Sequence, residues 1–182
     1  MENIFTYKSS LLSPGFSIFK QGMFVGTLDR PSWLNDTVAI TCDGKDYTVQ
    51  RKGRFRQKVF VTDRRQGNDV FTIVVTWPFF GLYSEARLNR TDGSVLRWKQ
   101  TGFFKRRWHW VQNDDVVVRG TEDYYLVLSK GAVNLMNSNL HDGELLGLLG
   151  LYLRSSVYHQ SVLLFSLGVA LLLTQLLRWV YG

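Results

Sequence analysis

The chain is poor in most of the residues that fasten or switch small proteins. A single cysteine, Cys42, permits no internal disulfide and fits a reducing compartment. Only three prolines occur, and one of them, Pro78, closes an apolar run because proline cannot donate to a strand ladder. The opening MENIFTYKSS has no basic segment followed by an apolar one, so no signal peptide is expected. No P-loop, G-x-S-x-G or H-E-x-x-H pattern is found. His109, His141 and His159 share no metal-ligand spacing, and helix capping accounts for Asp142 and Glu144. Cys42 lies in the apolar run VAITC, where a buried thiol behaves as a small hydrophobe. The expectation is a non-enzymatic protein with no cofactor and no metal. Charge is also missing from one long stretch: between Ser155 and Leu177 there is no Lys, Arg, Asp or Glu.

Elsewhere charge is abundant and mostly positive. Twenty-two basic residues against fifteen acidic ones give a formal +7, which suits an anionic partner. Arg51, Lys52, Arg54, Arg56 and Lys58 form the densest cluster, and the four even-numbered positions from 52 to 58 fall on one face of a strand. Such a stripe suits phosphates or an anionic lipid surface, at about 1 kcal/mol per cation near the membrane. It equally serves as a solvated face that discourages edge pairing. A second cluster, Lys105, Arg106 and Arg107, is flanked by aromatics in GFFKRRWHW. Stacking on single-stranded nucleic acid uses similar mixtures. Inward packing of Trp108 and Trp110, with the three cations facing water, is the simpler expectation. The eight cations named here are the candidate contacts to anionic lipid. The membrane is the expected partner, with an unidentified protein partner left open and nucleic acid disfavoured.

From residue 3 to about 136 the text repeats short runs of β-branched and aromatic residues separated by turns. The candidate strands are 3–8, 16–20, 23–28, 37–42, 45–51, 57–63, 70–77, 84–90, 94–100, 106–111, 115–119, 124–129 and 132–136. Turn pairs fall between them, at Gln21-Gly22, Asp43-Gly44, Gln66-Gly67, Asp92-Gly93, Asn113-Asp114 and Lys130-Gly131. The Asp-Gly pairs predict two-residue hairpins, whose turns need positive φ at both central residues. About twelve antiparallel strands in one domain predict closure into a barrel, which removes sheet edges. The run VFTIVVTW at 70–77 is apolar nearly throughout and predicts cover on both faces.

After Asn139 the pattern changes to helix. Asp142 can cap it, and Leu145 to Leu153 (LLGLLGLYL) is apolar on every side. Nine residues span about half a bilayer, so this block reads as a core helix near 142–155. The block from Val162 to Val180 is long enough to cross, at roughly 28 Å for about 19 residues. It follows Ser161 as a cap and ends with Arg178, Trp179 and Tyr181 as interfacial anchors.

Three stretches carry a resemblance. Phe16–Gly26 (FSIFKQGMFVG) looks like an early hairpin, Lys45–Arg51 (KDYTVQR) like a repeating inner strand, and Asp142–Tyr152 (DGELLGLLGLY) like a central helix. Together they resemble the tubby C-terminal superfamily, which includes the phospholipid scramblases and the plant LURP-one-related proteins. The resemblance covers roughly residues 3–155 and implies a closed barrel around a hydrophobic helix. The chain departs from that family by its second apolar block. It also lacks a cysteine-rich palmitoylation cluster and an acidic calcium loop, which argues against calcium-triggered scrambling.

The expected layout is therefore a mainly β domain over 1–158, an antiparallel barrel of about twelve strands around a hydrophobic helix. A C-terminal hydrophobic helix over 159–182 follows as a single-pass anchor, with the domain on the cytoplasmic side where the positive charge lies. The expected function is a membrane-associated binding or scaffold protein. Two alternatives stand beside it: a soluble lipid- or phosphoinositide-binding protein with residues 161–180 inside the barrel, and a phospholipid scramblase.

Overall fold

The computed structural model describes residues 3–9, 15–30, 37–52, 57–76, 85–100, 107–125, 128–137 and 140–181. Twelve strands are followed by one helix. The strands are β1 (Asn3–Ser9), β2 (Phe16–Lys20), β3 (Met23–Asp29), β4 (Thr37–Cys42), β5 (Lys45–Lys52), β6 (Gln57–Asp63), β7 (Asp69–Thr76), β8 (Glu85–Arg90), β9 (Val95–Gln100), β10 (Arg107–Gln112), β11 (Asp115–Tyr125) and β12 (Leu128–Leu135). The helix α1 runs over Gly143–Tyr181. Each strand pairs antiparallel with its sequence neighbour, and β12 closes on β1, with Asn3 opposite Leu135. The result is a closed barrel with no free edge.

Alternation along each strand sets what faces inward. In β7 Phe71, Ile73 and Val75 are buried while Val70, Thr72 and Val74 are only half-buried. The expectation of cover on both faces of 70–77 is therefore corrected. A barrel wall is a single layer, and Val74 stands in the register between Lys58 and Arg87 rather than beneath a second layer. Residue 77 and Pro78 lie outside the described residues, and the strand ends at Thr76.

The turn chemistry accounts for three of the five hairpins that lie within the described residues. Gln21-Gly22, Asp43-Gly44 and Asn113-Asp114 have positive φ at both residues, as two-residue turns require. Asp92-Gly93 differs: only Gly93 has positive φ, and Arg90 N–H donates to Ser94 O across a four-residue loop. Asp92 Oδ1 accepts the Ser94 N–H at 2.8 Å, a side-chain bond that favours the longer loop. The expected turn at Lys130-Gly131 is not a turn. Both residues sit inside β12, opposite Asp123 and Glu122, so the three short strands expected over 115–136 are two long ones. Gly131 is needed there because a Cβ would run into the Thr121 carbonyl and the Tyr7 ring, a close approach rather than a bend.

The first part of α1 fills the barrel. Leu145, Leu146, Leu148, Leu149, Leu151, Tyr152 and Leu153 are all buried, together with inward residues from all around the wall. The alternative in which 161–180 occupies the interior is overturned, because residues 168–179 are exposed. Both expected helical blocks are helical, but no break separates them. Ser161 lies within one continuous helix of 39 residues rather than capping a second one. The joining sequence RSSVYHQ contains neither glycine nor proline, so nothing in it stops helix propagation.

Trp108 and Trp110 point inward and are fully buried. Trp110 Nε1 donates to the Leu146 carbonyl at 2.8 Å, tying the wall to the helix. The Trp108 indole lies between two glycines: a Cβ on Gly120 of β11 or on Gly150 of α1 would overlap its ring. Gly168, by contrast, has open space where its Cβ would be. Two glycines of one helix should therefore respond with opposite sign. Gly150→Ala is expected to cost roughly 1–3 kcal/mol through overpacking. Gly168→Ala should be neutral or stabilise by up to about 1 kcal/mol through helix propensity. Urea unfolding of the two variants checks this, and an equal response from both would contradict the packing described.

Candidate functional site

The topology gives the barrel two unlike ends. The helix enters at one end, where Gly143 meets Leu135. It leaves at the other, where Arg30, just beyond β3, and Glu122 of β11 stand beside Arg154 and Ser156. At this exit end the apolar core gives way to a collar of buried polar groups. Arg154 Nε lies 3.2 Å from Glu122 Oε2, with both side chains about 8% exposed. Arg30 Nη2 donates to Ser156 Oγ at 3.2 Å, and its guanidinium lies 5.4 Å from the Tyr152 ring centre. Glu122 offsets the buried Arg154, while the second buried cation, Arg30, is held by Ser156 and the Tyr152 ring where the helix emerges.

Beyond the collar the helix carries its apolar surface outward. Leu171 and Leu172 are each 66% exposed and Trp179 is 87% exposed; Leu173, Leu176 and Leu177 are exposed as well. These positions cover most of the helix circumference rather than one stripe, the remaining sector holding Ala170, Thr174 and Arg178. The Thr174 hydroxyl is turned back on the backbone, with the Ala170 carbonyl at 3.0 Å and the Leu171 carbonyl at 2.8 Å. That arrangement satisfies a polar group without water.

The expected basic stripe is arranged differently from the sequence reading. Lys52 ends β5, Lys58 lies near the start of β6, and the register places them directly opposite each other. They are hairpin partners, not successive residues of one strand, because the chain reverses between them. Both are exposed, and Lys52 Nζ lies 5.4 Å from the Phe60 ring centre. Arg51 belongs to the inward row of β5 and is half-buried at the rim, so it does not share their face. Arg54 and Arg56 lie outside the described residues. Of the second cluster, Arg107 is exposed at the start of β10, while Lys105 and Arg106 lie outside the described residues.

A further basic face was missed by the sequence reading, because strand pairing assembles it from separate runs. On the outside of β8 to β11, Arg87 stands opposite Arg97, and Lys99 opposite His109, which is opposite Arg119. Arg97 is partly neutralised by Asp114 at 2.8 Å across the surface. Lys99, His109 and Arg119 form one cross-strand row, with Glu85 of β8 opposite Lys99 at its end. Burial, with Lys99 and Arg119 beside it, pushes the His109 imidazole below its usual pKa. Like charges directly opposite one another disfavour the sheet, and an anion lying across the row relieves that repulsion. The only sequence signal was outward alternation in each strand; register alone supplies the juxtaposition.

The opposite end of the barrel has a cavity of about 190 Å³ lined by Lys20, Cys42, Lys45, Tyr47, Asp142 and Glu144, among others. Burial, with Glu144 and Asp43 near, pushes the Cys42 thiol up to about 12, so it is protonated at neutral pH and a poor nucleophile. Tyr47 is likewise raised to about 12, mainly by burial, and burial also raises Glu144. Asp142 precedes the helix as expected. Its carbonyl accepts the Leu146 N–H at 2.9 Å, and its carboxylate lies 3.5 Å from Arg90. Among the described residues no group of three or more His, Cys, Asp and Glu side chains is placed to hold a metal.

No family model, curated protein or solved structure matches the chain. Among the described residues no helix is long and apolar enough to cross a membrane. The described exposed run, 168–179, covers about 18 Å at ~1.5 Å per residue. The side chains of residues 157–167 lie outside the described set.

Two measurements probe these features. Glu122→Leu alone removes the anion beside the buried Arg154 and should cost roughly 3–5 kcal/mol, whereas Glu122→Leu with Arg154→Met should recover most of that loss in urea unfolding. Because the folded pKa of His109 is depressed, its contribution to stability is fully present above the unfolded value of about 6.5 and is lost as pH falls through the folded value. His109→Gln should flatten that acid-side decline. In an NMR titration the His109 midpoint should lie below about 6.5 and move upward when anionic vesicles are added.

Proposed function

We propose that the protein is a non-enzymatic, membrane-associated binding or scaffold protein. Its barrel is held at an anionic lipid surface by its own core helix. The observation that carries this reading is a single continuous helix whose apolar residues are buried over 145–153 and which is exposed over 168–179 with apolar side chains around most of its circumference. Such a surface in water is unfavourable by about 25 cal/mol per Å², and a solvent that surrounds the helix removes that cost all round. A protein partner laid along one side leaves the rest wet. The formal +7 and the exposed cations of β5, β6 and β8 to β11 favour an anionic surface.

Full insertion as a single-pass anchor draws on Val162–Leu167 as well as on 168–180, giving about 19 residues and roughly 28 Å. Arg178, with the aromatic Trp179 and Tyr181, then serves as the far anchor. The excess of Lys and Arg before the span holds the barrel on the cytoplasmic side. A tubby- or scramblase-like ancestry is part of the same proposal. The closed twelve-strand barrel around an apolar helix is compatible with it, and its support lies in the residues quoted for the resemblance.

Fractionation tests the reading. The full chain should resist salt and carbonate and leave the membrane only with detergent. A chain lacking residues 159–182 should move to the supernatant with its β-type circular dichroism intact. Full-length protein released by salt alone would refute the inserted helix. So would a truncated chain that stays membrane-bound.

A further inference from the structure

We infer that the outer wall of β5 to β11 is a docking track for an extended, carboxylate-rich segment of a partner protein. The track gives a partner to the binding or scaffold role proposed above. Its preference for protein over lipid rests on the membrane half of that reading.

Register builds the track from separate strands. Lys52 of β5 stands opposite Lys58 of β6, and Lys58 opposite Val74 of β7. Val74 stands opposite Arg87 of β8, and Arg87 opposite Arg97 of β9. The next outward row, two residues nearer the helix exit, runs Thr76, Glu85, Lys99, His109 and Arg119 from β7 to β11. Their chain neighbours Val59, Val75, Ala86, Trp98, Trp108 and Val118 are buried, which fixes both rows to the outside. At about 4.8 Å between strands the first row spans roughly 19 Å, and the second lies about 6.7 Å from it. Strand tilt makes the rows climb the wall. All neighbouring strands are antiparallel, so odd-numbered strands end where α1 leaves, beside Arg30 after β3 and Glu122 late in β11. Lys52, the last residue of β5, is therefore at the exit rim, whereas Arg97 reaches Asp114 in the turn at the opposite end. From Arg119 to Tyr125, the exit end of β11, is about 20 Å along the strand.

Elsewhere on the wall, outward polar groups satisfy one another. Thr27 Oγ1 donates to Asp29 at 2.9 Å, Thr41 Oγ1 to Asp46 at 2.8 Å and Thr62 Oγ1 to Asp69 at 2.7 Å. The track is different. Lys52, Lys58, Arg87, Arg97, Lys99 and Arg119 share it with Glu85, and among the described residues its ion pair is Arg97 with the 90% exposed Asp114. Like charges directly opposite one another disfavour a sheet, and Lys52 with Lys58 and Arg87 with Arg97 are two such pairs. Protection of a sheet edge does not account for them, since the closed barrel has no edge. Carboxylates laid across the rows offset the repulsion, and an extended segment follows the first row with about six residues at ~3.3 Å each. A bilayer crossed by α1 lies at the exit end, where it meets Lys52 and Lys58, while Arg97 and Arg119 stand up the wall from it. Single-stranded nucleic acid needs aromatic faces to stack on, and neither row contains Phe, Tyr or Trp. Trp98, Trp108 and Trp110 are buried inside instead.

Fluorescence anisotropy on the full chain in neutral detergent tests the track. The probe is a labelled peptide of about twelve alternating Glu and Ser residues, with a Gln-for-Glu counterpart as control. The Glu peptide should bind and the Gln peptide should not. Arg87→Gln with Arg119→Gln should weaken binding roughly five- to tenfold, as two exposed charge pairs are lost. Arg64→Gln with Arg65→Gln removes the same charge from exposed positions off the track and should change binding less than about twofold. Arg87→Lys with Arg119→Lys should keep most of the affinity, which separates lost charge from a damaged fold. Equal weakening by the two Gln pairs overturns the track, because net charge then accounts for the binding. So does a Glu peptide that fails to bind at about 50 mM salt, where screening is weak. Displacement of the peptide by oligothymidylate, or by dispersed phosphatidylserine, at a lower concentration than by unlabelled peptide overturns the protein segment as occupant. Membrane retention is measured separately by fractionation, so a failed track leaves the anchor intact and a failed anchor leaves peptide binding intact.

Discussion

A closed sheet of twelve strands encloses a bore, and water cannot fill it without leaving the inward valines, isoleucines and tryptophans unburied. The leucines of residues 145–153 fill that bore. Each strand supplies one apolar face, the helix supplies apolar groups on all of its own, and neither is stable in water without the other. The indole of Trp108, set between Gly120 and Gly150, and the bond from Trp110 to the Leu146 carbonyl fix how far the helix is threaded. Everything outside the barrel inherits its position from that threading.

One consequence is that the helix cannot stop where the barrel does. Arg154 and Glu122 compensate each other at the exit, Arg30 reaches Ser156, and the backbone continues without a break. The same stretch of secondary structure is solvated first by the inside of a protein and later by whatever surrounds residues 168–179. Both environments favour side chains that are apolar on all sides, which is why the two blocks look alike in sequence while serving different ends. The polar collar between them buries the Arg154 and Glu122 pair together with Arg30.

Much of the fold was legible because hairpins and alternation are local. Positive φ at Gln21-Gly22, Asp43-Gly44 and Asn113-Asp114 follows from short-range sterics, and these residues signal it. Gly131 misled the reading because glycine marks both turns and close approaches, and only the position of Tyr7, far away in sequence, decides between them. The basic residues divided in the same manner. Lys52 and Lys58 were recognised as a cluster, but the chain reversal that makes them cross-strand partners was not used. Lys99, His109 and Arg119 come from three strands and become neighbours only through register.

The sequence by itself determined that the chain is mainly β, that it has about twelve antiparallel strands closed into a barrel, and that an apolar helix follows. These rest on alternation, turn residues and hydrophobic run length, all of which act within a few residues. The length of the first block, about half a bilayer, already marked it as the core helix, and the tertiary structure places it inside. Both are hydrophobic enough for the bore, and Gly143, Gly147 and Gly150 let the wall come close to the first. Tertiary structure alone decided that the blocks are one continuous helix and that Arg30, Glu122, Arg154 and Ser156 meet where that helix emerges. Strand direction and closure bring residues from across the whole chain to one end, and no local pattern encodes that.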